Sequence, residues 1–112
     1  MMDRTKRFAI RVVRLVSKLP KNNAARIIGG QLLRSATSIG ANYREAARST
    51  TKKHFTSILS IALREADETL YWLELLAESE LVKPALLADL RDECNQLVAI
   101  LAASVKKARQ TQ

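Results

Sequence analysis

The chain has 112 residues, a length that suits one domain and is too short for two independent cores. Hydrophobic residues make up 47% of it and aromatic residues 4%, with three Gly and two Pro. This balance favours helix over sheet and excludes a disordered chain. The formal net charge of +8 indicates a polyanion or an acidic protein surface as a partner.

The positive charge is concentrated in the first half of the chain. Residues 1–53 hold thirteen Lys/Arg against Asp3 and Glu45, a net +11, whereas residues 54–112 have a net −3. Two interpretations follow and stay open. The basic half binds a polyanion such as nucleic acid, or the basic half of one copy meets the acidic half of another.

Targeting signals are not expected. There is no run of about 18 uncharged apolar residues, the length that a transmembrane helix needs. Arg11 and Arg14 interrupt the N-terminal apolar run, which excludes the hydrophobic region of a signal peptide. Cys94 is the only cysteine, so no intrachain disulfide forms. The sequence therefore predicts a cytoplasmic protein without a membrane partner.

A first helix is predicted from about Arg4 to Lys18, before Pro20. Its cationic residues fall within an arc of about 80°: Arg4, Arg7, Arg11, Arg14 and Lys18. The opposite side is apolar and predicted to be buried: Phe8, Val12, Val13, Leu15, Val16 and Leu19.

A second helix is predicted over residues 24–48, with Asn22 or Asn23 as its N-cap. Gly29, Gly30 and Gly40 interrupt its apolar pattern. Because each glycine weakens a helix by about 1 kcal/mol relative to Ala, they indicate a close helix approach, a bend or a later start. The predicted buried face consists of Ile28, Leu32, Ala36, Ile39 and Tyr43.

A polar strip runs along this second helix, where Arg34, Ser38, Ala41 and Glu45 share a face with Asn42 beside them. The strip predicts a hydrogen-bonded ladder against a neighbouring helix or subunit. A buried Glu45 would need a partner such as Arg34 of another helix or subunit. Arg34, Asn42 and Glu45 are therefore predicted to set the register of helices or subunits.

A third helix is predicted over residues 52–78, with Ser49, Thr50 or Thr51 as its N-cap. Its main apolar face contains Phe55, Leu59, Ala62, Ala66, Leu73 and Leu76. The C-terminal half is apolar on further faces through Leu70, Tyr71, Trp72 and Leu75. This surplus predicts a subunit contact, centred on Tyr71 and Trp72, in a homo-oligomer.

A fourth helix is predicted over residues 84–108, with Pro84 in its first turn and a frayed polar tail. Its apolar residues are three and four apart: Leu87, Leu90, Cys94, Leu97, Leu101, Ser104 and Ala108. Four amphipathic helices with short loops predict an all-α fold, an antiparallel up-down-up-down four-helix bundle that forms one domain over residues 1–112.

Catalytic chemistry is sparse. His54 is the only histidine and follows Lys53 near a helix start, where a capping or solvent-facing role is expected. With a single histidine, the sequence offers few residues from which a catalytic triad could form. The carboxylates of Glu65 and Glu68 have no histidine at di-metal spacing. We expect no enzyme activity, no cofactor and no metal, and interpret Cys94 as a small buried hydrophobe.

Basic surface is the main functional signal. Besides the first helix, the second presents Arg26, Arg44 and Arg48, and Lys52 and Lys53 follow at the joint. Arginine suits bidentate contact with phosphate. No aromatic residues are interleaved to stack bases, so the pattern favours binding to the nucleic-acid backbone. A solvated cationic face and an acidic protein partner are the alternatives.

Residues 31–76 read QLLRSATSIGANYREAARSTTKKHFTSILSIALREADETLYWLELL. This pattern resembles the small bacterial bundle proteins encoded in intervening sequences of 23S ribosomal RNA genes. The accessory variability determinant of diversity-generating retroelements is similar. Many members have Pro in place of Gly40 and AEG in place of residues 44–46.

The resemblance implies an antiparallel four-helix bundle that assembles into a ring-like homopentamer. For the retroelement relatives, it implies a basic surface that engages nucleic acid and a reverse transcriptase. It implies no catalytic residues.

Overall fold

The computed structural model describes residues 1–111, and within them the chain is an all-α bundle without strands, as predicted. The helices are α1 (Met2–Val16), α2 (Asn23–Ala47), α3 (Lys52–Glu78) and α4 (Pro84–Gln110). Each bound lies within two residues of the sequence-based one.

Neighbours in the chain pack side by side in the order α1, α2, α3, α4, and α1 closes against α4 over a smaller surface. The bundle measures 46 × 21 × 19 Å. Since the helices are antiparallel, one end of this long body collects the last turns of α2 and α4 and the first turn of α3.

Side-chain caps fix where α2 and α3 begin. Asn22 Oδ1 accepts a hydrogen bond of 2.9 Å from the backbone N–H of Ala25. Thr51 Oγ1 accepts one of 3.1 Å from the backbone N–H of His54. Pro84 is the first residue of α4, where its missing N–H leaves no helical hydrogen bond unmade.

The core follows most of the predicted apolar faces, but several of their residues are only partly buried: Leu15, Val16, Leu19, Ile28, Tyr43, Phe55 and Ala108. Val13 is 47% exposed rather than buried, and the buried place on α1 is taken by Thr5, whose hydroxyl donates to the carbonyls of Met1 and Met2. In the last turns of α4, Val105 is buried and Ser104 only partly so. Deep in the bundle, Thr69 Oγ1 donates to Ser35 Oγ across α2 and α3 at 2.9 Å.

The C-terminal ends of α1 and α4 differ from the prediction. Because α1 ends at Val16, Lys18 lies in the following turn and not on the helix. The tail predicted to fray continues α4 to Gln110, while Gln112 lies outside the described residues.

The glycines of α2 serve close packing at two of their three positions. A Cβ on Gly29 would lie 2.7 Å from Leu19 Cδ1, and one on Gly40 would lie 3.1 Å from Thr5 Oγ1. A Cβ on Gly30 would meet nothing within 4 Å. Since α2 is continuous through all three, the close approach of α1 explains Gly29 and Gly40 and leaves Gly30 without a packing role.

Candidate nucleic-acid interface

Three helices, not four, build the tip of the bundle where α2 ends. Thr5 of α1 packs at the level of Gly40 of α2. From there α1 continues toward the tip for only three residues, to Met2, whereas α2 continues for seven, to Ala47. At 1.5 Å per residue, α2 extends about 6 Å past the start of α1. The tip is therefore formed by α2, α3 and α4.

Cations dominate this tip, which we call the basic end. Two contacts bring α4 beside the start of α3: Lys52 Nζ donates to the Thr111 carbonyl and Arg109 Nη2 to Ser60 Oγ, each at 3.5 Å. Segments 44–53 and 106–111 hold one acidic residue, Glu45. The basic end consists of Arg44, Arg48, Lys52, Lys53, Lys106, Lys107 and Arg109, all of them exposed.

These cations are not neutralised by neighbouring carboxylates. Within residues 1–111, none of the seven takes part in an ion pair. Arg44, Arg48 and His54 line an open depression of about 410 Å³, together with Glu45. The positive charge at this end is therefore available to a ligand in solvent.

Helix electrostatics account for some of these cations and not for others. Arg44, Lys107 and Arg109 lie in the last turns of α2 and α4, where a cation favourably meets the negative end of the helix dipole. Lys52 and Lys53 instead open α3, whose first turn contains no acidic residue. Cations at a helix N-terminus oppose the dipole, so local helix stability does not explain these two lysines.

Arg4 differs from the other cations of the predicted α1 stripe, which are Arg7, Arg11, Arg14 and Lys18, because it forms an ion pair within the chain. Its Nε and Nη2 donate to the two Glu93 carboxylate oxygens at 2.7 and 2.8 Å, and Nη2 also donates to Gln96 at 2.8 Å. This hydrogen-bonded guanidinium holds the pKa of Glu93 below its ordinary value, against the effect of partial burial. The charges of Arg11 and Arg7 lower it further.

The remaining predicted cations are spread along the molecule. Arg7, Arg11 and Arg14 are exposed on α1, and Lys18 follows in the turn. Arg26 lies near the start of α2, 3.5 Å from Asn23 Oδ1. The ten predicted nucleic-acid contacts thus separate into four at the basic end and six along α1 and toward the opposite end.

Sequence reasoning missed three residues of the basic end, Lys106, Lys107 and Arg109. Dividing the chain into a basic and an acidic half assigned them to the acidic half, and the tail was predicted to fray. Their spacing at the end of an amphipathic fourth helix was a usable signal, because an antiparallel bundle places that end beside the start of the third helix.

The polar strip of α2 meets α3 through one of its charged residues. Arg34 Nη1 lies 3.1 Å from Glu65 Oε2, and Arg34 Nη2 pairs with Glu68. Asn42 Nδ2 donates within α2 to the Ser38 carbonyl at 2.8 Å. Glu45 is exposed and forms no ion pair within residues 1–111, so the partner considered for a buried Glu45 is not required.

The expected apolar surplus on α3 is smaller than its sequence indicates. Leu70 and Trp72 are half-buried against the core, and Trp72 Nε1 donates to Glu68 at 3.1 Å. Tyr71 is 56% exposed, with its ring edge-on to Trp72 at 5.0 Å. Tyr71 is thus the large apolar residue that α3 leaves open to solvent.

The remaining titratable groups that catalysis could use offer little chemistry. His54 is exposed beside Lys53. Burial raises the pKa of the Cys94 thiol to about 12, and the charges of Asp67, Glu74 and Glu93 act in the same direction. The thiol therefore stays protonated at neutral pH. Residues 1–111 contain no group of three His, Cys, Asp or Glu side chains placed to hold a metal ion.

None of the helices in residues 1–111 combines the length and the apolarity needed to cross a membrane.

Comparison with known proteins identifies the family of this bundle. The sequence model described as 23S rRNA-intervening sequence protein matches residues 1–103. The chain belongs to this family. The family assignment agrees with the resemblance, which residues 31–76 carry most strongly, and the match also covers α1 and most of α4.

A solved structure supports the fold of this intervening-sequence family member. The chain is similar to a Bacteroides thetaiotaomicron protein whose crystal structure is described as having unknown function and as coming from the S23 ribosomal protein family. The two are 36% identical, with a TM-score of 0.87, over 94% of this chain and 97% of that one. No curated protein matches the sequence. The comparisons therefore assign family and fold without an activity.

Proposed function

We propose that this chain is a non-enzymatic cytoplasmic bundle that binds the phosphate backbone of RNA or DNA through the basic end. The observation that carries the proposal is the convergence of seven exposed Lys/Arg that form no ion pair within residues 1–111, with Glu45 and, beside Arg44, Asp3 as the nearby carboxylates. Phosphate contacts of this kind supply sequence-independent affinity by releasing condensed counterions.

Two features favour a polyanion over a merely solvated cationic surface. Lys52 and Lys53 stand at a helix N-terminus, where they weaken α3 locally. Seven like charges around one tip also repel one another, and a bound polyanion relieves that repulsion. Seven cations surround a single exposed aromatic ring, that of His54, in the described part of the basic end, so the expected ligand is the backbone rather than stacked bases.

Self-association strengthens this function in the proposal. A homo-oligomer, a ring-like pentamer as the family resemblance implies, brings several basic ends to one polyanion. Linked sites act at high effective concentration, so modest affinity per subunit suffices. A reverse transcriptase or a ribosomal RNA element supplies the nucleic acid in this proposal, with the chain as its accessory.

The experiment measures fluorescence anisotropy of a labelled 20-base-pair DNA duplex, and of single-stranded RNA, from about 50 to about 300 mM KCl. We expect a steep negative slope of log K against log salt. Replacing Lys106 and Lys107 by Gln should weaken duplex binding at every sequence and reduce the slope by about 0.9 per lost contact.

The matched control removes two exposed charges away from the basic end, Lys21→Gln with Arg64→Gln. This variant has the same net charge as the test variant and should bind nearly as wild type. Equal weakening by both pairs would show a non-specific charge effect. Absence of binding at low salt to duplex or single strand would contradict the proposal.

A second candidate is a structural adaptor in which the α1 stripe serves self-assembly. The Arg4 clamp on Glu93 favours it, because one residue of the stripe already pairs with an acidic residue of α4. Replacing Arg7, Arg11 and Arg14 by Gln separates the two. Loss of the oligomer with retained nucleic-acid binding supports the adaptor role of α1, whereas an intact oligomer contradicts it.

A further inference from the structure

We infer that a groove between α1 and α4, at the end of the bundle opposite the basic end, docks an acidic amphipathic helix of a partner protein. The inference is independent of nucleic-acid binding, because it uses a different surface. The groove has a volume of about 650 Å³. It exists because α1 packs closely on α2 but only lightly on α4.

The groove floor is apolar. Leu15 and Leu19, on and after α1, face Leu81 of the α3–α4 loop and Leu90 of α4 across it. Leu86 lies at the edge of the groove. At 68% exposure, it is the most exposed large apolar side chain in residues 1–111. An occupant must therefore bring apolar side chains of its own.

The rim is cationic. Arg11, Arg14 and Lys18 line one side and Lys83 the other, with Asp89 as the single acidic residue at the groove. Within residues 1–111, none of the four cations forms an ion pair. Four positive charges around an apolar floor match carboxylates that flank leucine-like side chains.

The shape favours a helix as the occupant. The α1 wall runs from Arg11 to Leu15, about 6 Å or a little more than one helical turn, and the turn that contains Lys18 and Leu19 prolongs it. The walls are two helices and the two short loops at their ends, and none of these offers a strand edge to an extended peptide. The backbone N–H and C=O groups of an occupant must therefore form their hydrogen bonds within the occupant itself, as they do in a helix. Such a helix would place apolar side chains in the groove from positions i, i+3 or i+4, and i+7.

Other occupants fit less well. A second copy would offer its exposed strip around Tyr71, but there Glu68 is bound by Arg34 and Glu74 lies 3.9 Å from Arg91. Nucleic acid would match the cationic rim but would leave the apolar floor and Leu86 without a partner. A membrane surface requires a convex apolar face, whereas this one is concave apart from Leu86.

The test titrates full-length protein into a fluorescein-labelled synthetic helical peptide of about four turns, with leucines along one face and glutamates elsewhere. The control peptide has the same composition with its leucines dispersed around the helix. We expect saturable binding of the first and much weaker binding of the second. Amide chemical-shift changes should centre on the groove.

Two variants locate the binding. Leu86→Ser should weaken peptide binding about tenfold, as expected for one buried leucine contact. Because Leu86 is exposed in the free protein, this substitution should leave the fold intact. Arg14→Glu with Lys18→Glu should weaken peptide binding further. Ile27→Ser, at an α2 position that is also exposed, at 58%, and Lys106→Glu with Lys107→Glu should leave peptide binding unchanged.

Of five results that would overturn the inference, four come from the peptide and sedimentation measurements. They are equal affinity for both peptides, binding that survives Leu86→Ser, loss of binding in the Lys106/Lys107 variant, or dissociation of a self-associated form by Leu86→Ser in sedimentation. The last would assign the groove to a second copy. Binding to anionic phospholipid vesicles that depends on Leu86, without peptide binding, would assign it to a membrane and equally overturn the inference.

Discussion

At the scale of single residues, Thr5 and Gly40 show how α1 approaches α2. Thr5 is fully buried, and its hydroxyl donates to the carbonyls of Met1 and Met2 at 3.0 and 3.1 Å. These hydrogen bonds let a polar side chain lie against the α2 backbone without an unsatisfied donor. Gly40 leaves the space that Thr5 occupies, whereas Gly30 leaves space that nothing fills.

This difference predicts unequal outcomes for two glycine substitutions. Gly30→Ala should stabilise the protein by about 0.5–1 kcal/mol, because Ala favours the helix and meets no neighbour. Gly40→Ala should gain less or destabilise, since its methyl group would lie 3.1 Å from Thr5 Oγ1. Urea unfolding measures both, and equal stabilisation would contradict the packing argument.

At the scale of helices, one polar clamp joins α1 to α4. Arg4 binds both Glu93 oxygens and Gln96, and it spans the lightest helix contact in the bundle. The pKa of Glu93 is lowered in the folded chain, so folding favours its ionised form. The clamp therefore contributes its full stabilisation at pH values above the ordinary Glu pKa of about 4.3. This contribution is lost as the pH falls through the lower pKa that Glu93 has in the folded chain.

Removing the carboxylate should remove that part of the pH dependence. In Glu93→Gln, the free energy of unfolding should be lower than in wild type at neutral pH. The difference should shrink as pH falls below about 4.3. Chemical unfolding at several pH values measures it, with Glu78→Gln, an exposed carboxylate without an ion pair in residues 1–111, as control. A difference that stays constant with pH would contradict the assignment.

At the scale of the whole molecule, the fold was more predictable than the site. Apolar spacing, the Asn22 and Thr51 caps and Pro84 are local signals, and they predicted the four helices closely. The basic end depends on which helix ends meet in space. The folded bundle pairs Arg4 with Glu93, which is 89 residues away in the sequence, so Arg4 is not a free cation. It also places the end of α4 beside α3, which brings Lys106 and Lys107 into the basic end.

Self-association is the prediction that belongs to this scale. Tyr71 is exposed on α3 while its neighbours Leu70 and Trp72 are packed. We expect the wild-type protein to sediment as an oligomer and Tyr71→Glu to shift it toward the monomer, because a charge in an apolar contact is unfavourable. Ile27→Glu is the control at a similarly exposed apolar position. A monomeric wild type would contradict the expectation.

The light packing of α1 on α4 also has a consequence for motion. Contact with α2 holds one side of α1, while the Arg4 clamp and the open groove occupy the other. Opening α1 therefore breaks fewer contacts than opening α2 or α3, and partial unfolding should begin there. Amide hydrogens of α1 should exchange with solvent deuterium before those of the other helices, which makes the shortest helix the least protected element of the bundle.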